Sequence, residues 1–380
     1  MTDPVAMPLA PASTTRQNAE RPRLNAKKET LDHFARNTSL EEFLGSAANC
    51  GGDKQAVAVL FQLLAKAAIH IADLAPPGHV AGSAQDWTDV ENVENNLEGF
   101  NLAANEAFLN AIRRAPVAAV LAKEFPDAMF LDGNAPLAVA MDPLDGSLNI
   151  AANVPVGTTV AVFPTLPGAS QPSEHFLRPG QDQIAAGLII FGLQTCFVLT
   201  LGDGAYVFTL DRRANLFRLT IPLLTIPEDS TEYSVNASHY RHWDNSMRAY
   251  IDDCIKGADG PLRRDHTMRW TASSIADAYR ILVRGGAFLD PGDRRHGHAD
   301  SRLRLICEAN PIAFLVEQAG GQATDTTKRI LEIVPRDLQM RTSIVFGSSA
   351  TVERIIRYHR DPHSSAERAP LFFQRGLIRR

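Results

Sequence analysis

An α/β fold in two halves is what this sequence predicts, and three observations predict it. Residues 56–74 are rich in Ala and Leu and contain neither Gly nor Pro, the composition of a buried helix. The run Leu137-Ala-Val-Ala-Met141 is short, apolar and rich in strand formers, and similar runs recur over 154–163, 187–201 and 205–210. The chain changes character between Pro222 and Pro227, and beyond it helical patterns at 273–283 and 310–319 alternate with a strand at 343–346.

Taken in order, residues 1–28 are rich in Pro, Ala, Thr and Asn without periodicity and read as a disordered tail. An N-terminal α/β half is expected over 29–225. Its long helix ends at Pro76-Pro77-Gly78, a second helix covers 103–112, and the strand at 137–141 feeds directly into Asp142. The 187–201 segment divides into two buried strands around a turn. A C-terminal α/β half follows over 226–360, and 361–380 reads as a peripheral arm.

With 380 residues, 45% of them hydrophobic and 21% charged, the chain has the size and balance of a globular protein with a large core. Its formal net charge of −5 argues against a general nucleic-acid binder. An acidic chain that handles phosphate must neutralise it locally, with metal ions or a few placed basic residues. The four cysteines are widely spaced and lack a Cys-x-x-Cys pair, which fits reduced, buried thiols. The uncharged apolar run 185–201 is too short and too broken to span a membrane. A soluble cytoplasmic protein is expected, with no nucleic-acid or membrane partner.

The chemistry centres on Met141-Asp-Pro-Leu-Asp-Gly-Ser-Leu-Asn-Ile150. Asp142 and Asp145 flank a proline where the strand turns, and hard cations such as Mg²⁺ take carboxylate, carbonyl and water oxygens. The carbonyl of Leu144 offers a further ligand. Gly146 allows close approach of backbone to a phosphate, whose oxygens the N–H groups of Gly146, Ser147 and Leu148 would bind. A polar turn with an Asx cap is the plainer account of Asp-x-x-Asp-Gly alone.

The full ten-residue string resembles the metal motif Asp-Pro-Leu-Asp-Gly-Ser-Ser-Asn of the class 1 fructose-1,6-bisphosphatases. Further blocks follow in the same order: Ser234-Val-Asn-Ala-Ser238, Arg269-Trp-Thr-Ala-Ser273, Gly285-Gly-Ala-Phe-Leu289 and Leu303-Arg-Leu-Ile-Cys-Glu-Ala-Asn-Pro311. The closing Pro370-Leu-Phe…Arg375-Gly-Leu-Ile-Arg379 is similar to the tail of the bacterial Calvin-cycle branch. The resemblance implies a layered αβαβα sandwich and hydrolysis of fructose 1,6-bisphosphate with Mg²⁺ or Mn²⁺, the alternatives being a sedoheptulose-1,7-bisphosphatase or a catalytically weakened paralogue that only binds sugar phosphate. It also implies a sugar-bisphosphate substrate and a homo-oligomer, a tetramer in the family.

Residue by residue, it implies metal ligation by Glu124, Asp142, the Leu144 carbonyl, Asp145 and Glu308, with Glu124 and Asp145 catalytic. Glu308 has a second account as a helix N-terminal carboxylate, and Glu124 one as an exposed strand-end residue. On the substrate side the resemblance implies Gly146, Ser147, Leu148, Asn236, Arg269, Trp270 and Arg302. Arg269 would reach a neighbouring subunit's site or form an ordinary surface salt bridge. The segment 290–300, with His296 and His298, lacks metal-ligand spacing and reads as a solvated loop.

Departures from the family cluster at the chemistry. Phe125 stands where a second glutamate is usual, Asn95 and Asn101 where aspartates are usual, and Leu148 where a serine is usual. Trp270, His239 and Asp290 replace tyrosines, and Arg302 replaces a lysine. An asparagine keeps a hydrogen-bonding oxygen but is no carboxylate base.

Overall fold

The computed structural model describes residues 34–49, 51–74, 90–150, 152–292 and 303–361, with side chains from 99 onward in the helix that begins at Val90. The expected tail 1–28, most of the loop 290–300, Arg302 and the arm beyond Asp361 lie outside these residues.

Three helices come first: α1 (Leu40–Ala48), α2 (Asp53–Leu74) and α3 (Val90–Arg113). A capping box starts α1, in which the Ser39 hydroxyl accepts from the Glu42 N–H and the Glu42 carboxylate accepts from the Ser39 N–H. The helix read at 56–74 is α2, and the one read at 103–112 is the second half of the longer α3. By length and composition α2 could cross a membrane, but its Leu60, Phe61, Leu64, Ala68 and Ile71 are fully or almost fully buried in the body.

Eight strands follow: β1 (Val117–Ala122), β2 (Met129–Phe130), β3 (Leu137–Asp145), β4 (Val156–Pro164), β5 (Ala185–Phe191), β6 (Cys196–Thr200), β7 (Ala205–Asp211) and β8 (Leu216–Ile221). They form one sheet in the order β2-β1-β3-β4-β5-β6-β7-β8. Only β1 and β3 pair in parallel; from β3 to β8 the sheet is an antiparallel meander.

The remaining elements are β9 (Glu232–Val235), α4 (Asn245–Ile255), β10 (Thr267–Met268), α5 (Ser274–Arg284), β11 (Ala287–Asp290), α6 (Asn310–Gln318), β12 (Gln322–Thr324), β13 (Ile344–Gly347) and α7 (Ser349–Arg360). Their strands make a second sheet, ordered β10-β9-β11-β13-β12.

Strand alternation decides how these pieces stack, because successive side chains point to opposite faces. On β6, Phe197 meets Phe61 of α2 with ring centroids 5.5 Å apart, whereas Val198 belongs to the core beneath α5 and α6. On β11 and β13, Phe288, Ile344 and Phe346 face that same middle core, and Ala287, Leu289 and Val345 face α4 and α7. The outcome is five layers: α1–α3, the first sheet, α5 with α6, the second sheet, and α4 with α7. This is the αβαβα sandwich that the resemblance implied. Its middle layer brings the end of β3 close to the entry into α6.

Candidate active site

Asp142 and Asp145 lie three residues apart, and on a straight strand they would point to opposite faces. The structure removes that conflict with a bulge. Asp142 pairs with Thr159 and Asp145 with Gly157, so β3 advances three residues while β4 advances two. The extra residue falls at Pro143-Leu144, where proline has no N–H to lose from the ladder. The bulge is fixed by the Thr158 hydroxyl, which donates to the Pro143 carbonyl at 2.7 Å. Both carboxylates thereby reach one side, and Leu144 is buried within the bulge.

Glu308 arrives from the middle layer. It sits in a π-helical segment, Leu305–Ala309, that leads directly into α6. Such a segment widens the helix by one residue per turn, and Ala309 N–H accordingly donates to Arg304 O at 3.0 Å, five residues back. The Thr159 hydroxyl donates to Cys307 O at 2.7 Å and ties the segment to β4. Glu308 Oε2 accepts the Arg304 N–H at 2.8 Å, so the residue caps a helix start while its other oxygen turns to the aspartates. The helix-start account of Glu308 describes one of its oxygens, and the other lies with the aspartates. Asp142, Asp145 and Glu308 each offer an oxygen, all within 4.8 Å of one another.

A residue that the sequence gave no reason to place here completes the cluster. Lys123, in the turn after β1, points its ammonium inward and donates to Asp142 Oδ2 at 2.7 Å and Glu308 Oε1 at 3.2 Å, with Asp145 Oδ1 at 3.5 Å. Its backbone is held as well: Lys123 N–H donates to Met141 O at 2.9 Å, and Arg304 Nη1 donates to Lys123 O at 2.5 Å. Glu124, expected as a ligand, is exposed in the same turn and outside the cluster, and Phe125 beside it is exposed too. The plainer strand-end account of Glu124 describes its position in this structure.

Burial sets the electrostatics. Asp142 is fully buried, and desolvation pushes its pKa up to about 8 against the pull of Lys123. Glu308 is raised by burial in the same way. Burial works against the Lys123 charge, yet the three carboxylates hold its pKa above the ordinary lysine value. Asp142 Oδ1 is buried without a hydrogen-bond partner. An orphaned carboxylate oxygen in low dielectric is costly, and it belongs to a cluster of hard oxygen donors. The donor set therefore fits a hard divalent cation.

The turn after Asp145 is short and opens on a glycine. Gly146 is left-handed, with φ 79°, and precedes a short 3₁₀ turn, Ser147–Asn149. The bonds closing this turn are donated by Asn149 and Ile150, which leaves the Ser147 and Leu148 amides ahead of it. Leu148 itself is 85% exposed. Asn149 Nδ2 donates to Ala272 O at 3.1 Å, and the Ser274 hydroxyl donates to Asp145 Oδ2, so the turn leans on the head of α5. Ser274 is a second residue that the sequence reading missed; the Ser-Ser pair that caps α5 was its one signal.

The remaining expected residues lie nearer the second sheet. Asn236 ends β9, its Oδ1 accepting from the Ser238 N–H at 3.2 Å and hydroxyl at 2.6 Å. Arg269 and Trp270 are exposed after β10. Arg269 Nε donates to Glu232 Oε1 at 3.0 Å, and the same carboxylate receives Arg280 at 2.9 Å and Arg284 at 2.7 Å. Within one chain Arg269 thus makes the surface salt bridge that was its ordinary alternative. Asn101 accepts within α3 from Asn105 Nδ2 at 3.3 Å, while Arg302 and the side chain of Asn95 lie outside the described residues.

Comparison with known proteins adds to this geometry. Two family models match in sequence order: the fructose-1-6-bisphosphatase N-terminal domain over 79–222 and its C-terminal domain over 226–360. A class 1 fructose-1,6-bisphosphatase of Rhizobium meliloti is 45% identical over 344 residues, covering 90% of this chain and 99% of that protein. One from Methylorubrum extorquens is 46% identical over 322 residues, covering 85% of this chain and 92% of its own length. Among solved structures, fructose-1,6-bisphosphatase of Leishmania major in apo form superimposes with a TM-score of 0.75 at 27% identity. That match covers 85% of this chain and 99% of the other.

Proposed function

The chain belongs to the class 1 fructose-1,6-bisphosphatase family, and from that premise we propose how its site performs the family's reaction. It is a phosphoric monoester hydrolase that converts fructose 1,6-bisphosphate to fructose 6-phosphate and phosphate. The observation that carries the site assignment is the convergence of Asp142, Asp145 and Glu308. Asp142, Asp145, the Leu144 carbonyl and Glu308 would hold Mg²⁺, or Mn²⁺ in its place. When bound, such an ion supplies charge stabilisation at the phosphoryl group and a nucleophile at neutral pH.

The chain's own groups do the rest. The amides of Gly146, Ser147 and Leu148 bind the oxygens of the phosphate to be cleaved, and Gly146 permits the approach because its φ of 79° admits no side chain cheaply. Ser274 orients Asp145 by donating to its Oδ2. Glu124, exposed beside Lys123 and outside the triad in this structure, is kept only by the family resemblance as a further ligand and proton acceptor for the attacking water. Asn236, Arg269, Trp270 and Arg302 are assigned to the second phosphate and the sugar. The halves 29–225 and 226–360, a cytoplasmic setting in carbohydrate metabolism and a homotetramer complete the reading.

Phosphate release from fructose 1,6-bisphosphate by the stripped full-length protein tests it. The expected result is turnover in saturating Mg²⁺ and none in excess chelator. Equal hydrolysis in both would overturn the mechanism. Running sedoheptulose 1,7-bisphosphate in parallel decides between hexose and heptose, with faster release from the hexose expected.

A further inference from the structure

The oxygens of the acidic triad are almost fully spoken for by the chain itself. Ser274 holds Asp145 Oδ2, and the Arg304 N–H holds Glu308 Oε2. Lys123 takes Asp142 Oδ2 and Glu308 Oε1 and lies 3.5 Å from Asp145 Oδ1. Only Asp142 Oδ1 is left buried and without a donor. The ammonium thus lies within 3.5 Å of one oxygen from each of the three carboxylates. A divalent ion bound by all three carboxylates would sit against that ammonium, and two cations in contact inside a buried cluster repel strongly.

We propose that Lys123 is a built-in competitor for the divalent cation, holding the triad together in the metal-free protein and swinging out when metal enters. The inference rests on the triad being the metal site, as argued above. Three carboxylates this close would repel in a metal-free chain, and the ammonium offsets part of that repulsion at the buried Asp142 and Glu308. The exchange needs no loop movement. The Lys123 backbone is pinned on both sides, by its N–H to Met141 O at 2.9 Å and by Arg304 Nη1 to its carbonyl at 2.5 Å. Its side chain is 25% exposed, so rotation of a flexible four-carbon stem carries the charge to water.

Competition has a quantitative signature. Apparent metal affinity falls by the fraction of molecules in which the oxygens are free, so removing the ammonium raises it without any new contact. Mn²⁺ is titrated by calorimetry into chelator-stripped full-length wild type, Lys123→Met and Lys123→Gln, with no sugar phosphate present. Both variants are expected to bind Mn²⁺ at least about tenfold more tightly than wild type, and their melting temperatures to rise more on Mn²⁺ addition. A second measurement needs no variant. Reductive methylation of wild type, read by peptide mass spectrometry, should mark Lys123 slowly without metal and several-fold faster with saturating Mn²⁺.

Equal or weaker Mn²⁺ binding by the variants, or Lys123 labelling that Mn²⁺ leaves unchanged, overturns the inference while leaving the metal site standing. Absence of Mn²⁺ uptake by wild type and variants alike overturns the metal reading and this inference with it.

Discussion

Two clusters in this molecule have the same make-up with the signs reversed. At the junction of β3 and the α6 entry, three carboxylates surround the Lys123 ammonium; beside β9, three guanidinium groups surround the Glu232 carboxylate. What separates them is water. Asp142 and Glu308 expose 0% and 3% of their side chains, whereas Arg269 and Arg284 expose 51% and 60%. The pKa directions follow. Desolvation wins at Asp142 and raises it despite Lys123, while the Arg284 hydrogen bond wins at Glu232 and lowers it. A buried charge carries its desolvation cost into every pairing, whereas an exposed one is largely solvated and its pairs are worth little.

The largest effect that would sharpen this contrast is at the buried cluster. Asp145→Asn is expected to lower kcat on the order of 10³-fold, since charge placed for the transition state is lost. The metal-free melting temperature should hold or rise, because one of three crowded charges has gone. Steady-state kinetics with scanning calorimetry checks both, and near-normal turnover would remove Asp145 from the chemistry.

Within the exposed cluster, burial again ranks the members. The Arg280 side chain is 14% exposed and also lies 3.4 Å from Asp277, which is fully buried. Arg280→Met should cost about 2 kcal/mol of stability by leaving Asp277 poorly compensated. Arg284→Ala, at the solvent edge, should leave denaturant midpoints unchanged. Equal losses from the two would break the argument that exposure sets the value of a pair.

The convergence of Asp142 and Asp145 was legible because the ten-residue string resembles a known family motif, although the bulge that brings it about was not. Glu308 was legible from its block, and α2, β3 and β5–β7 from composition alone. Lys123 was not. Which of Lys123 and Glu124 faces inward is a matter of strand-end parity, set by the pairing of Ala122 with Met141, and Ala-Lys-Glu-Phe carries no mark of it. Glu232 and its arginines escaped notice for a related reason: partners 37, 48 and 52 residues away in sequence meet only through the second sheet and α5. β9 and β11 each carry a charged residue in a four-residue run, Glu232 and Asp290, unlike the uncharged β13, the strand read at 343–346.

Smaller effects test the substrate side and the acid limit. Arg269→Ala should raise KM for fructose 1,6-bisphosphate roughly five- to tenfold, about 1 kcal/mol, with kcat and melting temperature little changed. An unchanged KM would confine Arg269 to its salt bridge. Glu232 has a lowered folded-state pKa, so its contribution is present above the ordinary glutamate value of 4.5 and is lost as pH falls through the lowered one. The melting-temperature gap between wild type and Glu232→Gln should therefore be constant from pH 7 to about 5 and close in more acid solution. A gap that widens with acid would reverse the sign assigned here.

The most direct measurement of the central claim is an anomalous-scattering map from crystals of the full chain soaked in Mn²⁺. One peak should lie between Asp142, Asp145 and Glu308, at roughly 2.0–2.3 Å from an oxygen of each. A strong peak elsewhere with this triad empty, or no protein-bound peak in crystals that still turn over substrate, would contradict the assignment.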